Sequence, residues 1–309
     1  MTLHKGARCL VTGDTGFIGS AFCKNRITNG YDILGLSRSP NGLFNHVQCD
    51  LVKDDFSKIE SIVKVYKPDA IFHFAANPLV KNSNHSISED ILASHKLLDA
   101  CPEDCKFIFA SSATVYGRHS TPRGTFRQCH PISTYGIGKK TVEDIITLYV
   151  EKYKKIKVAA ILRFCGHVGV GNNHGVCYDI IQKLKGPSQY LELLGKRPGS
   201  KKQFLHIDDS IEAITKLKYN KQGLTVKNIA PITTTTTGQW GYKTYDHHLL
   251  TVLQVANIIM QELGIYKKIK WNPGANWVGD QNYTAIFSTV EHPIRTSEQA
   301  IKDYVNAIK

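Results

Sequence analysis

Leu10-Val11-Thr12-Gly13-Asp14-Thr15-Gly16-Phe17-Ile18-Gly19 is the stretch that decides the fold. The apolar run from Ala7 to Thr12 reads as a buried strand. A helix is predicted from Gly16 to about Thr28, and Asn29-Gly30 is a good stop for it. The glycines between them permit a tight turn, let backbone approach an anion, and let the helix pack close to the strand. The helix N-terminus adds N–H donors and the positive end of its dipole. The spacing is G-x2-G-x2-G rather than G-x-G-x2-G, but the physics is the same. Gly13, Thr15, Gly16, Phe17, Ile18 and Gly19 are therefore expected to hold the pyrophosphate of a dinucleotide.

Working outward, Tyr31 to Leu36 reads as a second strand, followed by Ser37-Arg38. An acidic residue at such a strand end binds the ribose hydroxyls of NAD, whereas arginine accommodates the 2′-phosphate of NADP. Ser37 and Arg38 thus favour NADP(H), with NAD possible. A further strand near Asn45 to Cys49 ends at Asp50-Leu51, where Asp50 either bonds the adenine amino group or caps the next helix. Pro68 to Ala76 is another strand, and Phe74, Ala75 and Ala76 at its end leave room for a cofactor. His73, inside that apolar run, reads as a core histidine satisfied by neighbours. Cys105 to Phe109 reads as a fifth strand.

Apolar strands alternating with amphipathic helices indicate an α/β protein built on a doubly wound parallel sheet. This dinucleotide-binding domain is placed at about residues 1–165. A smaller α/β substrate domain falls mainly in 166–309, with segments near 204–230 returning to the first domain.

Tyr135 and Lys139 lie four residues apart in a predicted helix, so phenol and ammonium share one face. A nearby cation favours phenolate and brings a tyrosine closer to acting as a base. Beside a dinucleotide site, that suggests hydride chemistry at a hydroxyl-bearing carbon.

With Ala110-Ser111-Ser112-Ala113-Thr114-Val115-Tyr116-Gly117, the chain resembles the extended short-chain dehydrogenase/reductases of the NDP-sugar epimerase/dehydratase group. The loop at Thr12–Gly19, Asp50-Leu51, His73 to Ala76, Tyr135/Lys139, Leu162-Arg163-Phe164 and Phe204 to Asp209 match in order and spacing. The resemblance implies a Rossmann fold with Leu51 and Phe74 also lining the cofactor. It implies Tyr135 as the acid/base, and Lys139 as the group that binds the nicotinamide ribose and lowers the tyrosine pKa. Ser112 would bond the reacting oxygen, assisted by Thr114. Family dehydratases place an acidic pair where this chain has Ala113 and Thr114, so a 4,6-dehydratase is not expected. Cys129 and His130 lie in the wrong place for epimerisation by enolisation and read as incidental. The expected reaction is epimerisation of a nucleotide sugar at C4 through a keto intermediate. The alternative is NADPH-dependent reduction of an NDP-4-keto-sugar. A homodimer through helices near 85–101 and 133–154 is also implied.

The substrate half departs from the family pattern. Gly166 stands where an asparagine usually contacts substrate. Lys202 replaces a diphosphate-binding arginine, and the second such arginine would fall near Asn276-Trp277. Lysine is a point charge without the bidentate fork of arginine. Lys202 and Trp277 are the substrate-binding candidates, with Lys196, Arg197 and Lys201 either compensating or forming a solvated loop. The segment 231–246 carries five consecutive threonines, Thr233 to Thr237, and the aromatic residues Trp240, Tyr242 and Tyr245. A loop of this length suggests a lid, an oligomer contact or an insert.

The 309 residues suffice for two domains, and no apolar span reaches membrane length. The strand begins too close to the N-terminus for a signal peptide. Eight scattered cysteines lack metal-ligand spacing and suit a reducing cytoplasm. A net charge of +13 would draw in an anionic cofactor and substrate. It also admits a second class of function, RNA binding on a dehydrogenase fold. The basic residues form no run of five, and the Ser112/Tyr135/Lys139 set would then serve no purpose. The same set argues against a third class, a cofactor sensor without catalysis.

Overall fold

Strand β1 spans Arg8–Thr12 and helix α1 Phe17–Thr28. Then come β2 (Asp32–Ser37), β3 (His46–Gln48), α2 (Phe56–Tyr66), β4 (Ala70–His73), α3 (Ile87–Ala100), β5 (Lys106–Ser112), α4 (Thr134–Thr147) and β6 (Val158–Phe164). They are followed by β7 (Gly166–Val168), α5 (Val176–Lys185), β8 (Tyr190–Leu194), β9 (Lys201–Lys202), β10 (Phe204–His206), α6 (Ile207–Thr215) and β11 (Gly223–Ile229). The last elements are β12 (Thr236–Thr237), β13 (Lys243–Thr244), β14 (Leu250–Thr251), α7 (Val252–Leu263), β15 (Lys268–Asn272) and α8 (Ser297–Ala307). This computed structural model describes residues 3–40, 42, 44–76, 87–117, 128–218, 220–231, 236–237, 243–244, 249–273 and 295–309.

Seven strands form one sheet in the order β11-β6-β5-β4-β1-β2-β3. β1 pairs in parallel with β2 on one side and β4 on the other; β4 pairs likewise with β5, and β2 with β3. This is the doubly wound parallel sheet expected from the sequence. Strand order reverses beside β1, and the crevice outside the strands' carboxyl ends at such a reversal is where ligands bind. The chain divides into two compact units, one of residues 1–115, 131–163 and 214–227, the other of 116–130, 164–213 and 228–309.

In the first unit, every residue of β4 and β6 is buried, as expected of strands covered on both faces. On one face Leu10, Ile71, Phe107 and Ile161 pack with Leu97 and Leu98 of α3 and Val142 and Ile146 of α4. On the other, the Phe22 ring of α1 sits 4.4 Å from Phe72 and 5.3 Å from Phe74, between centroids. α4 ends at Thr147 and continues as a wider π turn over Leu148–Lys152.

The second unit has its own core, in which Val255, Ala256 and Ile259 of α7 meet Ile180 and Ile181 of α5 and Ala300, Ile301 and Tyr304 of α8. α7 begins with a reciprocal cap: Thr251 accepts from the Gln254 backbone, and the Gln254 side chain accepts from the Thr251 backbone. In the threonine-rich segment, β12 and β13 pair antiparallel, while Thr233, Trp240, Tyr242 and Tyr245 lie outside the described residues.

All eight cysteines are free thiols, six buried and two, Cys129 and Cys165, half-buried. Among the described residues no helix is long and apolar enough to cross a membrane, and no cluster of His, Cys, Asp or Glu could hold a metal.

α1 and the loop before it pack so closely that a Cβ on Gly19 would lie 2.2 Å from the Gly13 carbonyl oxygen. Gly19→Ala is expected to lower the unfolding free energy by about 1–3 kcal/mol in urea denaturation, through backbone displacement at this crossing.

Candidate functional site

The loop after β1 is shaped by two glycines. Gly13 has φ +70°, and a Cβ there would stand 2.7 Å from the Ala75 nitrogen, so the loop can lie against the end of β4 only with glycine at 13. Gly16 N donates to Gly13 O at 2.9 Å and becomes the N-cap of α1 without any side-chain cap. Phe17, Ile18 and Gly19 form the first turn of α1. A bare, glycine-lined N-terminus of a twelve-residue helix, at the carboxyl edge of the sheet, matches what a diphosphate needs. Thr15 Oγ1 donates to Ser37 Oγ at 3.1 Å, which joins the loop to the end of β2. Arg38 follows directly, its carbonyl accepting from Gln48 of β3. Asp50 Oδ1 accepts from Val52 N and Lys53 N, so this carboxylate ties its own turn; Asp55 occupies the N-cap position of α2 without a side-chain cap bond. Leu51 is buried, and Ala75 and Ala76 follow β4 at half-exposure.

A relay of buried hydrogen bonds fixes Ala75. Its N–H donates to Thr12 Oγ1 (3.2 Å), and Thr12 pairs with His73 Nδ1 (2.7 Å). His73 Nε2 meets Ser94 Oγ (3.0 Å), and Ser94 donates to the Asp90 carbonyl (2.7 Å). Because Ser94 spends its proton on Asp90, His73 must carry its own on Nε2 and accept from Thr12 at Nδ1. Burial lowers the His73 pKa to about 3, so the ring is neutral. It is the satisfied core histidine expected from the apolar run around it.

The second cluster stands at the end of β5. Ser112 is the last residue of that strand, and Thr114 N donates to its Oγ at 3.2 Å. Ser133 caps α4 by accepting from Gly136 N. A Cβ on Gly136 would lie 2.9 Å from the Thr114 carbonyl, so glycine lets α4 settle directly onto the turn after β5. This close approach brings Tyr135 near enough to Ser112 for the serine hydroxyl to act on the phenol. Thr114 Oγ1 is buried and has no hydrogen-bond partner among the described residues.

Lys139 is only 3% exposed. Its Nζ donates to the Ala110 carbonyl at 2.8 Å and lies 4.6 Å from the Phe109 ring centroid and 5.8 Å from that of Tyr135. Burial lowers its pKa to about 8, against the opposing charges of Asp90 and Glu143. The expectation that Lys139 lowers the Tyr135 pKa does not hold in this structure. Burial, and after it the carboxylate of Asp90, push the phenol above its ordinary value, while the nearby Ser112 hydroxyl pulls it down.

One turn beyond Lys139, Glu143 is buried between two partners. Ser111 Oγ donates to Oε1 (2.5 Å), and Arg163 of β6 binds both oxygens, Nε at 2.9 Å and Nη2 at 2.6 Å. Glu143 and Asp90 were not singled out from the sequence. The spacing of Glu143, four residues after Lys139, was a usable signal; nothing local marked Asp90.

In the second unit, Lys196, Arg197 and Lys201 are exposed, as a solvated loop would be, whereas Lys202 is half-buried. Burial lowers its pKa to about 8, opposed by the Cys177 thiol. A side chain at Gly166 would meet the Gln203 carbonyl at 3.1 Å, a tight fit for the asparagine expected there. Trp277 lies outside the described residues.

Residues 9–230 match the model of the NAD dependent epimerase/dehydratase family. The chain belongs to that family. Among curated relatives, it is 27% identical over 228 residues to the uncharacterized UDP-glucose epimerase YtcB of Bacillus subtilis, covering 67% of this chain and 71% of that protein. It is 27% identical over 175 residues to a UDP-glucose 4-epimerase of Rhizobium leguminosarum, spanning about half of each (53% and 53%). Among solved structures, a UDP-glucose 4-epimerase of Thermotoga maritima with UDP-glucose aligns with TM-score 0.77 at 21% identity, covering 97% of this chain and 98% of that one. MoeE5 in complex with UDP-glucose and NAD aligns with TM-score 0.80 at 20% identity and 97% coverage of both. At these identities the structural likeness is one of fold.

Glu143→Gln leaves Arg163 buried without its charge partner. A loss of about 3–5 kcal/mol in urea unfolding is expected, against about 1 kcal/mol for Ser111→Ala, which removes one hydrogen bond to the carboxylate.

Proposed function

We propose that this chain is an NAD-dependent nucleotide-sugar epimerase that inverts C4 through a keto intermediate. The observation that carries the reading is the grouping of Ser112, Tyr135 and Lys139 at the carboxyl end of β5, in the unit that also holds the glycine loop. Relatives described as UDP-glucose 4-epimerases support a UDP-sugar substrate. Neighbouring structures that contain NAD support that cofactor.

The loop at Gly13–Gly19 and the α1 N-terminus would hold the pyrophosphate, with Ser37 and Arg38 beside the adenosine ribose and Ala75 beside the loop. Bound as NAD+, the group would accept and return the hydride and add a positive charge beside the phenol. Tyr135 removes the proton of the sugar hydroxyl and returns it after the keto sugar has turned its other face. Ser112 holds the reacting oxygen through its hydroxyl. Lys139, anchored on Ala110, holds a buried positive charge one helical turn from the phenol. Arg38 remains the argument for NADP. The reductase alternative would use the same residues with Tyr135 donating its proton. A homodimer fits the exposed Leu92 of α3 and Ile137 of α4.

Tyr135→Phe is expected to lower turnover of UDP-glucose to UDP-galactose by at least about a hundredfold, while the dinucleotide released on denaturation, read by mass spectrometry, stays at wild-type occupancy. Substantial residual epimerisation would remove Tyr135 from the mechanism. Stoichiometric NAD would support the epimerase. NADP would assign Arg38 to the 2′-phosphate, and an empty protein that binds only NADPH would favour the reductase.

The kcat/KM profile supplies a further check. Lys139 loses its ammonium charge as pH rises through about 8, so kcat/KM is expected to fall on the alkaline side of that value. A flat profile to pH 9.5 would show that the charge is not required.

A further inference from the structure

A basic side chain that the proposed chemistry does not use is buried without a counter-ion. Arg26 stands in the last turn of α1 and is 6% exposed. Its guanidinium carbon lies 3.4 Å from the centroid of the Tyr31 ring and 6.0 Å from that of Phe22. Tyr31 is itself held at both ends. Its N–H donates to the Arg26 carbonyl (3.1 Å), and its hydroxyl donates to the Leu3 carbonyl (3.0 Å). Stacking therefore fixes the guanidinium through its face and leaves its edge over. Arg26 forms no ion pair with a carboxylate among the described residues, and its Nε is buried with no hydrogen-bond partner among them.

Arg26 also lines a shallow hollow of about 200 Å³, its open mouth included, together with Leu3, Phe22, Phe72, Ile214 and Thr215. All six belong to the first unit. Phe22, Phe72 and Ile214 are buried and give the hollow an apolar floor. An unpaired charge in such surroundings costs stability. The C-terminal end of a helix favours a cation, but an exposed head meets that need. The edge of a guanidinium carries Nε–H and an Nη–H side by side, the two-donor fork that a carboxylate accepts. One negative charge balances the one positive charge, whereas a phosphate dianion would bring a surplus charge against apolar walls. Those walls suit an apolar stem, and the shallowness of the hollow limits it to a few carbons. Arg26 lies ten residues along α1 from its N-cap Gly16, about 15 Å of helix, so this place is distinct from the glycine loop.

We propose that the hollow at the end of α1 binds a small monocarboxylate with a short apolar stem. The Arg26 edge takes the carboxylate, and Phe22, Phe72 and Ile214 take the stem. Tyr31 is the positioning residue, since it holds the guanidinium plane from behind. The site shares no residue with the glycine loop or with the Ser112, Tyr135 and Lys139 group, so it goes beyond the epimerase reading and stands or falls without it.

The test titrates sodium butyrate into the full chain at pH 7 and follows it by saturation-transfer NMR. A Kd on the order of 1 mM is expected for a molecule of so few heavy atoms. Butanol, which lacks the charge, and inorganic phosphate are each expected to bind at least about tenfold more weakly. Arg26→Met keeps an unbranched stem and is expected to weaken butyrate at least about tenfold. Arg26→Lys keeps the charge without the fork, and a loss of about threefold to tenfold is expected. Urea unfolding separates binding from a purely structural role. Arg26→Met is expected to unfold at no lower urea concentration than the wild type, and added butyrate is expected to raise the midpoint of the wild type alone. The site is overturned if the wild type shows no saturable binding up to about 50 mM butyrate, far above that Kd. Butanol binding as tightly as butyrate, or butyrate binding undiminished in Arg26→Met, overturns it equally. Should Arg26→Met not fold, the butanol comparison and Arg26→Lys decide the matter, and full butyrate affinity in Arg26→Lys overturns the two-donor contact.

Discussion

The carboxylate of Glu143 is the constraint on which the β5 cluster depends. It is buried, and it is stable there only because Arg163 grips both oxygens and Ser111 donates to one of them. Those bonds join α4, β5 and β6. Ser111 precedes Ser112, and Glu143 follows Lys139 by one helical turn, so the bond that neutralises a buried charge also sets the register of α4 against β5. The approach is close because Gly136 has no side chain to hold α4 off the Thr114 carbonyl. Distances within Ser112, Tyr135 and Lys139 are thus inherited from an ion pair that touches none of their reactive atoms.

The β1 edge is organised by a different kind of restraint. Along the relay from Ala75 to the Asp90 carbonyl, neutral groups serve as donor and acceptor in turn. The low pKa of His73 and the direction of its bonds agree, since a second ring proton, on Nδ1, would take the Thr12 oxygen as its acceptor and deprive the Thr12 proton of the one it has. Strands β1 and β4 and helix α3 are thereby tied where their polar atoms would otherwise lie buried and unpaired.

Much of the fold could be read in the sequence. The apolar runs that became β1, β2, β4 and β5 are short and bounded by glycine, proline or polar residues, and the loop glycines have a steric cause visible in their spacing. The pairing of Tyr135 with Lys139 needed only helical geometry. The electrostatics of that pair could not be read. Whether an ammonium lowers a nearby phenol depends on burial and on third charges, and here Asp90 reaches the site from a helix far upstream. The meeting of Asp14 and His46, thirty-two positions apart, was equally hidden. It requires knowing that β3 lies beside β2 in a register that sets His46 opposite Gly35. In the second unit, the substitution of Lys202 for arginine was visible, but its half-buried setting beside Cys177 was not.

The cysteines give the molecule a built-in reporter of its own opening. Five thiols, at positions 9, 23, 49, 101 and 105, are buried in the first unit and one, Cys177, in the second. Burial holds Cys9 near pKa 12 and Cys49 near 11, so in the folded chain they are shielded from reagents and almost free of the reactive thiolate. Each unit therefore exposes its own set of nucleophiles when it unfolds. The order in which peptides carrying these cysteines become alkylated along a denaturant series reports which unit gives way first, with no label added beforehand.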